Sequence, residues 1–318
     1  MPTPYQLDTA TGQRRFSQAA AGYDSVAVLQ DLVRTELLDR LDVVQLQPTV
    51  VLDLGCGTGK GTAALLERYA PPQPWQERAK AWLGFGPKPR QARVIGIDSA
   101  PGMLVAAASQ VRAHPRGELL AADACALPYP AAHADLIFAS LLLPWIADPD
   151  ALFAEVRRVL RPGGLFAFAT LGPDTLHELR AASKAVDDTP RVLEFTDMPE
   201  LARGLQQAGF ADPVLDRDQH RLTYSGTATL FADLRALGAT NRRKDRAGHL
   251  TGRARIEALS DAYETHRDAT GRLPVTCEVI YGHAWVPAGD AVRGKRGGNA
   301  NAKANEVVVP LSSLRRRP

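Results

Sequence analysis

The stretch Val50-Val51-Leu52-Asp53-Leu54-Gly55-Cys56-Gly57-Thr58-Gly59-Lys60-Gly61 decides how the rest of the chain is read. Three β-forming residues precede an acid, and glycines follow at every second position. The pattern predicts a buried strand that emerges at Asp53 and turns through a glycine-rich loop into a helix. Gly55, Gly57 and Gly59 let the backbone bend sharply and let a ligand approach it closely. In open α/β sheets ligands bind at the carboxyl ends of strands, so the stretch points to a nucleotide-like ligand.

The spacing narrows the ligand. A dinucleotide fingerprint reads G-x-G-x-x-G; counted from Gly55 its third position falls on Lys60, and from Gly57 on Thr62. Gly-Lys-Gly-Thr also lacks the context of a phosphate-binding P-loop. What stands here is D-x-G-x-G-x-G, which resembles motif I of the class I S-adenosylmethionine (SAM)-dependent methyltransferases.

Composition sets the frame. The chain has 318 residues, of which 45% are hydrophobic, as in ordinary globular proteins. It has no apolar run long enough to span a membrane, and Met1 to Ser17 carry no hydrophobic signal core. Cys56, Cys125 and Cys277 are scattered, which fits a reducing cytoplasm and offers no metal-ligand spacing. A cytoplasmic protein with neither metal nor membrane partner is therefore expected. The net charge of +3 is uneven: residues 287–318 hold seven Arg and Lys against Asp290 and Glu306, a net +5, which leaves −2 for residues 1–286. A nucleic-acid-binding domain carries its charge on the fold, so no nucleic-acid partner is expected.

Around the glycine stretch the chain alternates strand and helix. Residues 13–46 predict helix interrupted at Gly22 and Tyr23, with Val26, Leu29, Leu32, Val33 and Leu37 on one face. Strands are expected at Val94–Asp98, Leu119–Asp123, Ala134–Ala139 and Leu165–Thr170. Helices are expected from Pro101, with Ser99 as N-cap, and over Asp148–Leu160. Five β-α-β repeats with continuously apolar strands predict a doubly wound, mostly parallel sheet. Further helices (Pro199–Ala208, Thr227–Leu237, Arg253–His266), a strand (Pro213–Tyr224) and a last, alternating strand (Pro274–Val286) follow. Residues 71–92, with five prolines and Trp75 and Trp82, read as a surface insertion, and 287–318 as a basic disordered tail.

Three acids end three consecutive strands: Asp53, Asp98 and Asp123. Behind such a loop each has a role in a nucleoside site. Asp98 can accept both ribose hydroxyls and Asp123 the adenine amino group, beside the Ala124 backbone N–H. Asp53 can either hold the glycine loop or reach an amino-acid ammonium. SAM is therefore the expected methyl donor, with Ser99, Met103 and Ser140 completing the expected cofactor set beside Gly55, Gly57 and Gly59.

A more specific likeness lies outside that half. The segment Arg15-Phe16-Ser17 with Ala19-Ala20-Ala21-Gly22-Tyr23-Asp24 and Leu29-Gln30 is similar to the N-terminal signature of the malonyl-acyl-carrier-protein O-methyltransferases of biotin synthesis (the BioC family). So are Leu141-Leu142-Leu143-Pro144-Trp145, Phe168-Ala169-Thr170-Leu171-Gly172, Leu237-Gly238-Ala239-Thr240-Asn241, Leu250-Thr251-Gly252-Arg253 and Gly271-Arg272-Leu273-Pro274-Val275-Thr276. The resemblance covers about residues 13–286. It implies a class I, Rossmann-like seven-stranded domain over 1–286, with helical caps at 13–46, 172–195 and 225–272. It also implies methyl transfer to the free carboxylate of a malonyl thioester on acyl carrier protein or coenzyme A. A carboxylate is ionised at pH 7 and needs no general base, which suits a chain showing no triad. Tyr23 and Trp145 are the expected walls of the acceptor site and Arg253 the expected carboxylate ligand. The basic run Arg242, Arg243, Lys244 and Arg246 is expected to dock the acidic carrier protein. Two other readings stay open at this point: a methyltransferase acting on another small molecule such as a quinone, and a non-catalytic SAM-binding assembly factor.

Overall fold

Val51, Leu52 and Leu54 are fully buried, and strand β1 (Val50–Leu54) is hydrogen-bonded in parallel on both sides, to β2 (Arg93–Asp98) and β4 (Ala134–Ser140). The computed structural model describes residues 7–71, 91–187, 189, 191–239, 242–244 and 252–288. With β3 (Gly117–Ala121), β5 (Leu160–Leu171), β6 (Ala211–Tyr224) and β7 (Leu273–Trp285) the strands make one seven-stranded sheet, in the order β3-β2-β1-β4-β5-β7-β6. Only β7 runs against its neighbours, β5 and β6. Strand order reverses beside β1, so the glycine loop leaves the sheet at its switch point.

The helices are α1 (Thr9–Tyr23), α2 (Val28–Asp39), α3 (Lys60–Tyr69), α4 (Pro101–Val111), α5 (Pro149–Val159), α6 (His177–Val186), α7 (Met198–Gln207), α8 (Thr227–Ala236) and α9 (Arg253–Glu264). Because strand side chains alternate, β1 feeds two cores. Leu52 and Leu54 pack with Ile95, Ile137 and Phe166 against α5 and α7, whereas Val51 packs with Val94, Leu136 and Phe138 against α2, α3 and α4. A third core joins α6, α8 and α9 to the start of β7 around the fully buried Tyr263. Beside it Glu178 accepts from Thr276 N and Oγ1, and Glu278 accepts from Asp174 N at 2.8 Å. Gly172 leaves room for that Glu278 carboxylate; a Cβ there would lie 2.5 Å from its oxygen.

Several expectations change. Residues 122–133 cross from β3 to β4 without a helix. Strand β7 is buried almost continuously instead of alternating, because it lies between β5 and β6 with helices over both faces. Ser99 does not cap α4; Ala100 holds the N-cap position, and Gly102 N in the first turn donates to Ser17 Oγ at 3.2 Å. Residues 72–90 and the tail from 289 onward fall outside the described residues. Met1–Pro287 form one unit and Ala288–Pro318 another. Among the described residues no helix is long and apolar enough to cross a membrane.

The glycine loop is anchored at both ends. Gly55 N and Cys56 N donate to Ile97 O at 2.8 and 3.0 Å, and Thr62 Oγ1 donates to Asp53 Oδ2 at 2.6 Å. Gly55, Gly57 and Gly59 all have positive φ, as this bend demands. Gly59 also seats α3 against α4: a Cβ would stand 2.8 Å from that of Ala107. Gly59→Ala should therefore lower stability by roughly 2–4 kcal/mol in chemical denaturation. Burial pushes the Asp53 carboxyl up from 3.8 to about 7; Thr62 and Arg34 oppose the shift and Asp98 adds to it. Since the folded state binds the proton more tightly, stability should fall as pH rises from about 4 to 7, by a few kcal/mol, and level off above. In Asp53→Asn this dependence should be absent from pH-resolved denaturation curves.

Candidate active site

A cavity of about 730 Å³ opens over the carboxyl ends of β1, β2 and β4. Its floor follows from the loop just described. Asp98 turns its carboxylate back on the backbone: Gly57 N donates to Oδ2 at 3.0 Å and Ala100 N to Oδ1 at 2.8 Å. Burial raises its pKa while these backbone donors oppose the rise. Asp123 Oδ1 accepts from Cys125 N at 2.9 Å, which presents Ala124 to the cavity. Ser140 ends β4, and a turn, Leu143–Trp145, carries Trp145 to the wall.

The roof is α1 and α2. Tyr23 ends α1 and packs with Phe16 against Ala100 and Met103. Gly102 lies under α1, where a Cβ would meet Ser17 O at 2.4 Å, so α1 rests directly on α4. Burial first, then Asp98, Asp24 and Asp31, push the Tyr23 phenol well above its ordinary range, so it is a hydrogen-bond donor and not a base at neutral pH. The turn between the helices is pinned to the glycine loop. Thr58 Oγ1 donates to Asp24 Oδ1 at 2.8 Å, and Lys60 Nζ reaches Asp31 at 2.9 Å and Asp24 at 3.5 Å. Burial opposes ionisation of Asp31, but Lys60 and Arg34 hold its carboxyl below the usual value.

Asp53, Gly55, Gly57, Asp98, Ser99, Met103, Asp123, Ala124, Ser140, Tyr23 and Trp145 thus share one cavity. Gly59 lies beneath it, packed on α4. Of the two uses open to Asp53, holding the loop is the one its bond to Thr62 makes.

The basic residues fall out differently. Arg253, expected at the substrate carboxylate, is the first residue of α9; its side chain is 93% exposed and pairs with Glu257 at 2.9 Å, away from the cavity. Arg242, expected on a docking surface, is only 3% exposed and lines the cavity. Arg243 and Lys244 lie outside the cavity wall, and Arg246 lies outside the described residues. The sequence reading also missed Asp24, Asp31, Thr58 and Lys60, the pins of the roof, although Tyr23-Asp24 stood in the N-terminal signature. Elsewhere Glu36, Asp218 and His220 bring possible metal-ligand atoms within 4.8 Å of one another, but Glu36 already accepts from the Tyr281 hydroxyl and lies 3.8 Å from Arg40.

Comparison with known proteins agrees with this architecture. Residues 79–168 match the family described as "Methyltransferase domain". The YcgJ protein of Bacillus subtilis superposes with a TM-score of 0.53 at 15% identity, over 80% of this chain and 99% of that one, a likeness of fold. The malonyl-[acyl-carrier protein] O-methyltransferase of Methylovorus sp. (strain MP688) is 42% identical over 289 residues, 89% of this chain and 90% of that protein. The protein of the same name in Xylella fastidiosa (strain M23) is 41% identical over 312 residues, 98% of each. With that identity sustained from end to end, the chain belongs to the malonyl-[acyl-carrier protein] O-methyltransferase family of SAM-dependent methyltransferases.

Proposed function

We propose that this chain transfers the methyl group of SAM to the free carboxylate of a malonyl group carried on acyl carrier protein, giving the methyl ester used in biotin synthesis. The observation that carries the acceptor assignment is the protonation state of the cavity wall. Burial pushes the Cys125 and Cys277 thiols and the Tyr224 phenol up to about 12, and raises the Cys56 thiol and the Tyr23 phenol well above their ordinary values. The thiols and phenols of this wall therefore offer no base at neutral pH, and its most buried acids are already engaged, Asp53 by Thr62 Oγ1 and Asp98 by the Gly57 and Ala100 N–H groups. A carboxylate arrives ionised and needs only placement and exclusion of water.

The donor end fits a nucleoside sulfonium. Asp98, held by two backbone N–H groups, keeps lone pairs for ribose hydroxyls, and Asp123 and Ala124 offer an acceptor and a donor to the adenine edge. Bound SAM supplies an electrophilic methyl group. Tyr23 and Trp145 then wall the space where the carboxylate oxygen meets it, and Tyr23, a fixed donor, orients the acceptor. The cavity wall also carries Leu179, Leu222, Leu230, Leu234 and Val275, an apolar lining that suits the flexible arm of a carrier. Arg243 and Lys244, which follow the buried Arg242, supply positive charge for an acidic carrier protein on an otherwise slightly acidic body. A cytoplasmic location accords with this chemistry.

Incubation with SAM and malonyl-carrier protein should add the mass of one methyl group in place of a proton; a protein that binds SAM tightly without that gain would not be the proposed enzyme. Charge reversal of Arg243 and Lys244 together should raise KM for malonyl-carrier protein about tenfold, lower that cost at high salt, and leave the affinity for SAM unchanged.

A further inference from the structure

Four cationic side chains among the described residues line the cavity: Arg34, Lys60, Arg191 and Arg242. Three are already engaged by carboxylates. Arg34 pairs with Asp31 at 2.7 Å, Lys60 with Asp31 at 2.9 Å, and Arg191 with Asp187 at 2.7 Å. Arg242 differs. It is 97% buried by its 3% exposure, yet its Nε and Nη2 have no hydrogen-bond partner. These two N–H groups lie on one edge of the guanidinium and point the same way, the edge that grips both oxygens of one carboxylate.

The surroundings hold that edge in place. The guanidinium lies 4.4 Å from the centre of the Trp145 ring and 5.5 Å from that of Phe16, and these rings stand edge to face at 5.2 Å. Its Nη1 passes over Gly12, where a Cβ would come within 1.7 Å. Asp8 N donates to Arg242 O at 2.9 Å, fixing the backbone beneath α1. Burial and Arg15 draw its pKa down to about 10 against the pull of Asp8, so it remains a cation at pH 7. Trp145 N bonds to Leu142 O, and Leu142 in turn packs against Gly55 of the glycine loop. Arg242 therefore lines the cavity beside Trp145, close to the glycine loop.

A buried cation with two unsatisfied donors is costly to keep unless a ligand completes it. Resting on the proposed acceptor, we propose that Arg242 grips the substrate carboxylate side-on through Nε and Nη2, so that the site selects an acyl group ending in a free acid and releases the same group once it is methylated. Each carboxylate oxygen accepts one N–H and keeps a second lone pair. As one oxygen forms its bond to the methyl carbon, the carbon–sulfur bond breaks and its electron pair stays on sulfur; no proton moves. The ester left behind is neutral and has one carbonyl acceptor where the acid had two charged oxygens, so its hold on Arg242 is lost. Arg242 thereby takes the role the sequence suggested for Arg253.

The test separates recognition from turnover. With S-adenosylhomocysteine bound to the full chain, calorimetry would compare malonyl-carrier protein with its methyl ester. The wild-type protein should prefer the acid by about 100-fold, and Arg242→Met should bind both as weakly as the ester while holding S-adenosylhomocysteine normally. Arg242→Lys keeps the charge but loses the paired edge; KM for malonyl-carrier protein should rise about tenfold with a smaller change in kcat. A preference that survives in Arg242→Met, or an unchanged KM in Arg242→Lys, overturns the clamp even if the wild-type protein makes the ester. A preference that vanishes in Arg242→Met supports the clamp even if no ester forms, in which case the proposed reaction alone falls.

Discussion

Strand β1 is hydrogen-bonded along both edges and covered on both faces, so the chain can leave it only through its carboxyl end. Everything at the ligand site depends on how that exit is made. The backbone reverses at once through three positive-φ glycines, is tied to Ile97 O on β2, and is closed by the bond from Thr62, in the first turn of α3, to Asp53. The short reversal brings Gly57 N to Asp98, so the acid ending β2 and the loop after β1 become one surface. The second core, under α2, α3 and α4, stays closed because Gly59 adds no side chain between α3 and α4.

Over this floor the molecule places a roof that rests on apolar contacts and is pinned in place by charge. Lys60 and Thr58 reach up from the loop to Asp31 and Asp24, while Ser17 rests on Gly102. Partly exposed ion pairs of this kind contribute little to global stability. Their role here is positional: they keep Tyr23 over the strand ends and leave the adjoining cations neutralised. Arg242 is the contrast, since its Nε and Nη2 find no hydrogen-bond partner among the described residues.

The parts of the site that are local in sequence were legible. Apolar runs ending in Asp53, Asp98 and Asp123 announce strands and their open ends, and helix α5 follows from Asp148-Pro149 and its periodic apolar face. What escaped was set by distant partners. Strand β7 reads as alternating until its place between β5 and β6 is known. Ser99 has the composition of a cap, but the first-turn Gly102 N donates to Ser17 Oγ of α1, a partner far away in the chain. Arg242 stands in a dense basic run, which reads as a solvated face; its burial comes from Gly12, Phe16 and Trp145, far away in the chain. Arg253, inside a family-like motif, was the natural choice for the substrate anion, yet motif membership does not report exposure.

Helix α1 touches both ends of the cavity. Near its start Gly12 lies under the Arg242 guanidinium, and at its end Tyr23 covers the strand termini. The eleven residue steps from one to the other span roughly 16 Å of helix axis. In the proposed reaction the helix therefore acts as a ruler that sets the separation of the two substrates. Adding or deleting one residue within it would shift one end by about 1.5 Å and rotate it by about 100° relative to the other. The number of residues between Gly12 and Tyr23 is accordingly as much a part of the reaction geometry as any side chain in the cavity wall.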